Sequence, residues 1–258
     1  MQFFDSHAHF NDEKFKKDRN KLIPEIYKSG ITKIVCAGYN LESSLISIDL
    51  SKRYEYIYAT CGISPNDIQS DDIEKKLTQL EDIIKNEKIV AIGEIGLDYY
   101  WNKVNKSIQQ EYFIRQIEIA NKYNLPIVIH TREAVTDTLD IIKKEKCNKG
   151  GVFHCCPLNI ELIKEALKLD FYISFAGPIT FKNSKNANQV VQIVPLEKLI
   201  IETDSPYLAP EPVRGTINDP RNVKYIAEKI AQIKGLSIQS IAEITYENAV
   251  KLFDIKNK

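Results

Sequence analysis

The chain is short of several things that announce a function by themselves. No apolar run approaches the roughly 18 residues of a membrane span, and Asp5 interrupts any signal-like start, so neither a spanning helix nor a secretory leader is expected. Charge of one sign is missing too. Lys+Arg and Asp+Glu both number 35, which argues against a protein held to duplex nucleic acid or anionic lipid by bulk attraction, while a local basic patch stays open. A disulfide framework is absent: Cys36, Cys61, Cys147, Cys155 and Cys156 are an odd number without framework spacing. They fit a reducing compartment, and the expected location is the cytoplasm. There is no Pro/Gly/Ser-rich linker, low-complexity segment or composition break, so residues 1–258 are expected to form one domain. Histidine is scarce at four residues, and there is one tryptophan. Where those few fall carries most of the information.

What the chain has is a regular alternation of apolar strands and amphipathic helices. "FFDSH" reads as the first strand, followed by a charged helix from about Lys14 to Ser29 that Gly30 stops. "TKIVCAG", "YIYATCGI", "IVAIGEIG", "LPIVIHT", "GGVFHC", "FYISFA" and "KLIIETD" read as strands two to eight. Helices are expected near 41–53, 72–86, 107–123, 134–146, 159–169 and 222–234, with a weaker one at 186–193 and a last one at 238–253. Near-continuous apolar strands suit parallel strands covered on both faces, and eight such repeats predict a single (β/α)8 TIM barrel. A doubly wound open sheet is the alternative. It would normally place a Gly-rich phosphate turn after its first strand, where this chain has "DSHAHF".

In a barrel of this kind the chemistry sits at the C-terminal ends of the strands. His7 and His9, at i and i+2 in an extended segment, face the same side and can converge on one cation. Glu94 in "GEIGLD", His130 in "VIHTR", His154 in "VFHC" and Asp204 in "IETDSP" are each expected at a strand end on that same rim. Four imidazoles and two carboxylates exceed what one catalytic zinc needs, and suit two divalent ions sharing a carboxylate. The donor set accepts zinc, manganese or magnesium without choosing among them.

The ordered set "DSHAHF", "GEIGLDYY", "PIVIHTREA", "GVFHC", "TFKNS", "IETDSPYLAP" and "RGTINDP" resembles the TatD family of metal-dependent hydrolases, over nearly the whole chain. The resemblance implies a TIM barrel associated mainly with deoxyribonuclease activity. It implies a first metal on His7, His9, Glu94 and Asp204, and a second on Glu94, His130 and His154, with Glu94 bridging. The expected function is cleavage of DNA or another phosphodiester, working from ends. A hydroxide attacks phosphorus, the two cations neutralise the phosphoryl charge, and Asp204 either orients the nucleophile and takes its proton or serves as a ligand alone. No obligate protein partner is indicated.

Substrate contacts are expected from Arg132 and Arg214 through their planar forks, an ordinary rim salt bridge being the other reading of each. Tyr99 and its neighbours in "DYYW" either stack bases or pack under a loop. Cys155 is expected to be a packed thiol rather than a ligand. Two departures from the family pattern bear on substrate. "GISPND" puts Ser64 and Asn66 where the family often has histidines, so Ser64 is expected to face the substrate phosphate with a weaker contact, and "CCPLN" follows His154. The competing functions are a related barrel hydrolase acting on a carboxylic ester, lactone or amide, and a non-catalytic metal-binding protein that keeps the fold. Many of the former bridge their metals with a carbamylated lysine, where this chain offers Glu94.

Overall fold

The structure, a computed structural model, describes residues 1–68, 72–86, 89–101 and 105–256. Eight strands run in chain order through one sheet: β1 (Phe3–Ala8), β2 (Ile31–Cys36), β3 (Ile57–Cys61), β4 (Ala91–Asp98), β5 (Ile127–Arg132), β6 (Gly151–Phe153), β7 (Tyr172–Phe175) and β8 (Leu199–Ile201). Every consecutive pair is parallel. The connecting helices are α1 (Glu13–Lys16), α2 (Arg19–Lys28), α3 (Leu41–Arg53), α4 (Ile73–Asn86), α5 (Lys106–Tyr123), α6 (Val135–Glu145), α7 (Ile160–Lys168), α8 (Ala187–Ile193), α9 (Val223–Lys234) and α10 (Ile238–Leu252). The fold is a (β/α)8 barrel.

Local chemistry sets the helix ends. Asn40 opens α3 with a capping box, its Oδ1 accepting from Ser43 N while Ser43 Oγ accepts from Asn40 N. Gly235 closes α9 at φ 67°, a left-handed cap that costs glycine little. The barrel interior is apolar in its lower part. Phe4, Val35, Ala91, Val128, Val152, Tyr172 and Ile200 each come from a different strand, with Tyr58 of β3 packed against them. Leu252, Phe253 and Ile255, at the end of α10 and just beyond, pack onto this cluster. That filling leaves the other end of the strands for polar side chains.

β1 and β8 do not share a regular ladder. The seam is closed by a bridge between Ala8 and Ser205, by His9 N donating to Ser205 O (2.7 Å) and by Asp204 N donating to His7 O (2.9 Å). Ser6 Oγ also donates to Ile201 O (3.0 Å), and buried Asp5 accepts from the backbone and hydroxyl of Thr203. Burial outweighs those bonds and pushes the Asp5 carboxyl up to about 8.

Three segments differ from the sequence reading. The helix expected over 14–29 is two helices, because Phe15 turns in to pack on Phe10 and Asp18, at φ −114°, restarts the chain; Pro24 lies inside α2. β8 stops at Ile201, not at Asp204, whose N–H goes to His7 across the seam. β4 runs on to Asp98, so Glu94 lies within the strand and not at its end. The β4–β5 register shifts between Ile92 and Ile95, and Gly96 at φ +137° lies under the His130 carbonyl, where a Cβ would come within 2.0 Å of oxygen.

Candidate metal centre

The six ligand-type side chains meet at the C-terminal mouth of the barrel. His7 Nε2 and His9 Nε2 lie 3.1 Å apart. Glu94 Oε2 is 3.6 Å from the first and 3.8 Å from the second, and Asp204 Oδ1 is 3.7 and 3.2 Å from them. On the other side of Glu94, Oε1 is 3.2 Å from His130 Nδ1 and 3.7 Å from His154 Nε2, and those two nitrogens are 3.2 Å apart. Donors held tetrahedrally at 2.0–2.1 Å from one centre are themselves about 3.3–3.4 Å apart. Both clusters match that spacing.

Hydrogen bonds on the far side of the rings select the tautomers that leave these nitrogens bare. His9 Nδ1 donates to Ala37 O (3.1 Å), so its Nε2 carries the lone pair in the neutral ring. His130 Nε2 donates to Asp98 Oδ2 (3.0 Å) and His154 Nδ1 to Glu202 Oε1 (3.3 Å). His130 Nδ1 and His154 Nε2, both left bare and 3.2 Å apart, repel unless a proton or a cation sits between them, and His7, whose buried Nδ1 has no partner among the described residues, brings its Nε2 to the bare Nε2 of His9. The residues therefore fit a cation in each cluster.

Without one, protons take its place. Burial works against the charged form of His9, yet Asp204 and Glu94 hold its pKa up to about 9; burial likewise opposes His130, which Asp98 and Glu94 hold up to about 10. Glu94 is buried, but His154, His130 and His7 keep it well below the usual carboxylate range. Burial and neighbouring His154 push His7 down. Access is uneven: the His130 and Asp204 side chains are 19 % and 13 % exposed, and that of His7 only 1 %.

The family profile described as "TatD related DNase" matches residues 4–254. The chain belongs to the TatD family of metal-dependent hydrolases. This TatD chain is 42 % identical over 253 residues to YabD of Bacillus subtilis strain 168, covering 98 % of this chain and 99 % of that one. It is 37 % identical over 260 residues to YcfH of Escherichia coli K12, covering 99 % and 97 %. Both relatives carry the name "uncharacterized metal-dependent hydrolase". The crystal structure of YjjV, a TatD homologue from E. coli, superposes with a TM-score of 0.92 at 25 % identity, covering 98 % of each chain.

The remaining expected site residues fall in unexpected surroundings. Ser64 is buried and its hydroxyl donates to Glu94 Oε1 (3.1 Å). Asn66 donates to Asp98 Oδ2 (3.2 Å). Tyr99 donates its hydroxyl to Asp137 (2.6 Å), with Lys106 over its ring, and is half-buried. Arg132 and Arg214 are exposed and, among the described residues, pair with no carboxylate. The Arg132 guanidinium lies 4.3 Å from the Tyr100 ring centroid, and that of Arg214 3.5 Å from Phe181. Cys155 is half-buried beside the centre, its thiol pushed well above its ordinary pKa by burial and by Asp204.

Asp98 and Glu202 escaped the sequence reading. Asp98 is fully buried and takes four hydrogen bonds, from His130, Asn66 and the backbone of Tyr100 and Trp101. Burial opposes its charge, but His130 brings the pKa down to about 2. Glu202 is equally buried and accepts from Cys155 N (2.7 Å) as well as His154. With His7 and His154 it forms a third group of converging donors. A cavity of about 1010 Å³ among Gln2, Tyr27, Tyr56, Tyr58 and Tyr246 contains none of these side chains.

Proposed function

We propose that this chain is a two-metal phosphodiesterase that cleaves DNA from strand ends, working in the cytoplasm. The observation that carries this reading is Glu94, whose two oxygens enter two separate imidazole clusters. On this reading His7, His9, Glu94 and Asp204 hold one divalent ion and Glu94, His130 and His154 a second, each of the zinc, manganese or magnesium type. Two such ions, when bound, supply Lewis-acid charge for phosphoryl oxygens and lower the pKa of water.

The chain's own groups do the rest. Asp204 is the most exposed carboxylate of the centre and accepts the proton of the attacking water, besides its role as a ligand. Its backbone, at φ 54°, is pinned from both sides by Asp204 N to His7 O and by Tyr207 N to Asp204 O, which fixes the carboxylate's direction. Asp98, Glu202 and Ala37 hold three imidazoles in the required tautomer. Ser64 fixes one oxygen of Glu94. DNA as substrate is supported by the family's description as related DNases.

The test is metal analysis of the purified protein together with a panel of end-labelled DNA and RNA, small phosphodiesters, carboxylic esters and lactones. Metal-dependent release of nucleotides from DNA ends supports the reading. Hydrolysis confined to carboxylic esters or lactones, or full DNA cleavage by demonstrably metal-free protein, overturns it.

A further inference from the structure

Tyr100 and Trp101 lie just past β4 at the mouth of the barrel and stay exposed, Trp101 at 62 %. Their rings meet edge to face, 4.7 Å apart at 88°. The Arg132 guanidinium lies 4.3 Å from one ring and 5.2 Å from the other. The pair is also held firmly, since Asp98 Oδ1 accepts both backbone N–H groups at 2.9 and 2.8 Å. The same carboxylate's other oxygen takes His130 Nε2. One buried group thus ties an imidazole of the metal centre to an exposed aromatic pair flanked by Arg132, which among the described residues pairs with no carboxylate.

We propose that Tyr100, Trp101 and Arg132 form a stacking subsite for one nucleobase of the substrate, flanking the metal centre. The proposal rests on the phosphodiesterase reading. A base offers a π face to Trp101, and Arg132 adds cation–π support and a positive charge for the phosphate that follows it. Holding the Tyr100 and Trp101 backbone beforehand lowers the ordering cost of binding. Stacking on a ring face is open to every base, so the subsite tolerates any base and selects for a base being present.

Trp101 is the only tryptophan, so its fluorescence reports this subsite alone. The metal-loaded enzyme is titrated with deoxyadenosine monophosphate and, separately, with 2-deoxyribose 5-phosphate. Saturable quenching by the nucleotide and none by the sugar phosphate is expected, with the nucleotide's affinity reduced several-fold in Tyr100→Ala and Arg132→Gln. In turnover, Trp101→Ala should raise KM for a dinucleotide roughly five- to hundredfold. It should leave KM unchanged for the same phosphodiester lacking the base. No quenching, equal quenching by the sugar phosphate, or equal loss on both substrates overturns the proposal. So does a Trp101 signal that follows protein concentration instead of nucleotide, which would mark a contact between copies. Failure of the phosphodiesterase reading looks different: the loaded wild-type enzyme would cleave neither substrate, while the quenching by nucleotide would still decide the subsite.

Discussion

Replacing Asp98 by asparagine should weaken the second ligand cluster while the barrel stays folded. The carboxylate faces four donors: His130 Nε2, Asn66 Nδ2 and the N–H groups of Tyr100 and Trp101. An amide has one oxygen for these four, and its NH2 must point at N–H donors wherever it turns. If the oxygen stays with the two backbone groups, the amide meets His130 Nε2–H head on. The ring escapes by moving its proton to Nδ1, the atom 3.2 Å from Glu94 Oε1 and from His154 Nε2. That atom can then no longer donate a lone pair to a cation. Losing one charged hydrogen bond costs about 1.5–3 kcal/mol. Removing the partner of a metal-binding histidine typically lowers metal affinity about 10–100-fold. Calorimetric titration of metal-free wild type and Asp98→Asn should therefore show one of two binding events weakened by that factor and the other kept. Equal affinities at both sites, in a variant with wild-type circular dichroism, would refute the tautomer argument.

Glu94→Gln should lose more, because a neutral amide cannot balance two cations; metal content near one ion or less per chain is expected, and two retained ions would contradict the bridging assignment. Gly96→Ala puts a Cβ 2.0 Å from His130 O at a left-handed φ, so a loss of about 2–5 kcal/mol in denaturant unfolding is expected, and a neutral change would mean that β4 relaxes freely. The third expectation concerns protons. His9 and His130, held up to about 9 and 10 against an ordinary 6.5, contribute stability to the metal-free fold that is complete below about pH 6.5 and fades as pH rises through those values. Metal loading at pH 7.5 must expel these protons, so the binding heat should vary with the ionisation enthalpy of the buffer, and a buffer-independent heat would count against it.

The strand–helix alternation was legible because parallel strands buried on both faces are written as apolar runs, and the histidines were legible because so few exist. The two missed acids obey the rule that exposed His7 and His9. Glu202 lies two residues before Asp204 and Asp98 four after Glu94, each on the side of its partner if the backbone stays extended. Acids are common, so that spacing draws no attention until burial is known. The Ser64 contact and the partial burial of Tyr99 beside two exposed aromatic neighbours were not legible at all. The first joins the end of β3 to β4 across the sheet, and the second follows from β4 running on to Asp98 through a register shift and a left-handed Gly96 that no local pattern spells out.

The seam between β1 and β8 gives the ligands an order in time. His7 and His9 leave a ribosome before Asp204, which follows only after almost the whole barrel has been made. Until the last strand arrives, the two early imidazoles have no carboxylate from across the seam, and a nascent chain has only part of the first cluster to offer a cation. Once the ends meet, an ion held by His7, His9 and Asp204, as proposed, would act as a cross-link between distant parts of the chain. By the chain-entropy account of disulfides, a link closing a loop of more than a hundred residues is worth about 5 kcal/mol. The first thing to open in a chelator should then be this junction, with β1 exchanging its amide hydrogens ahead of β4 and β5.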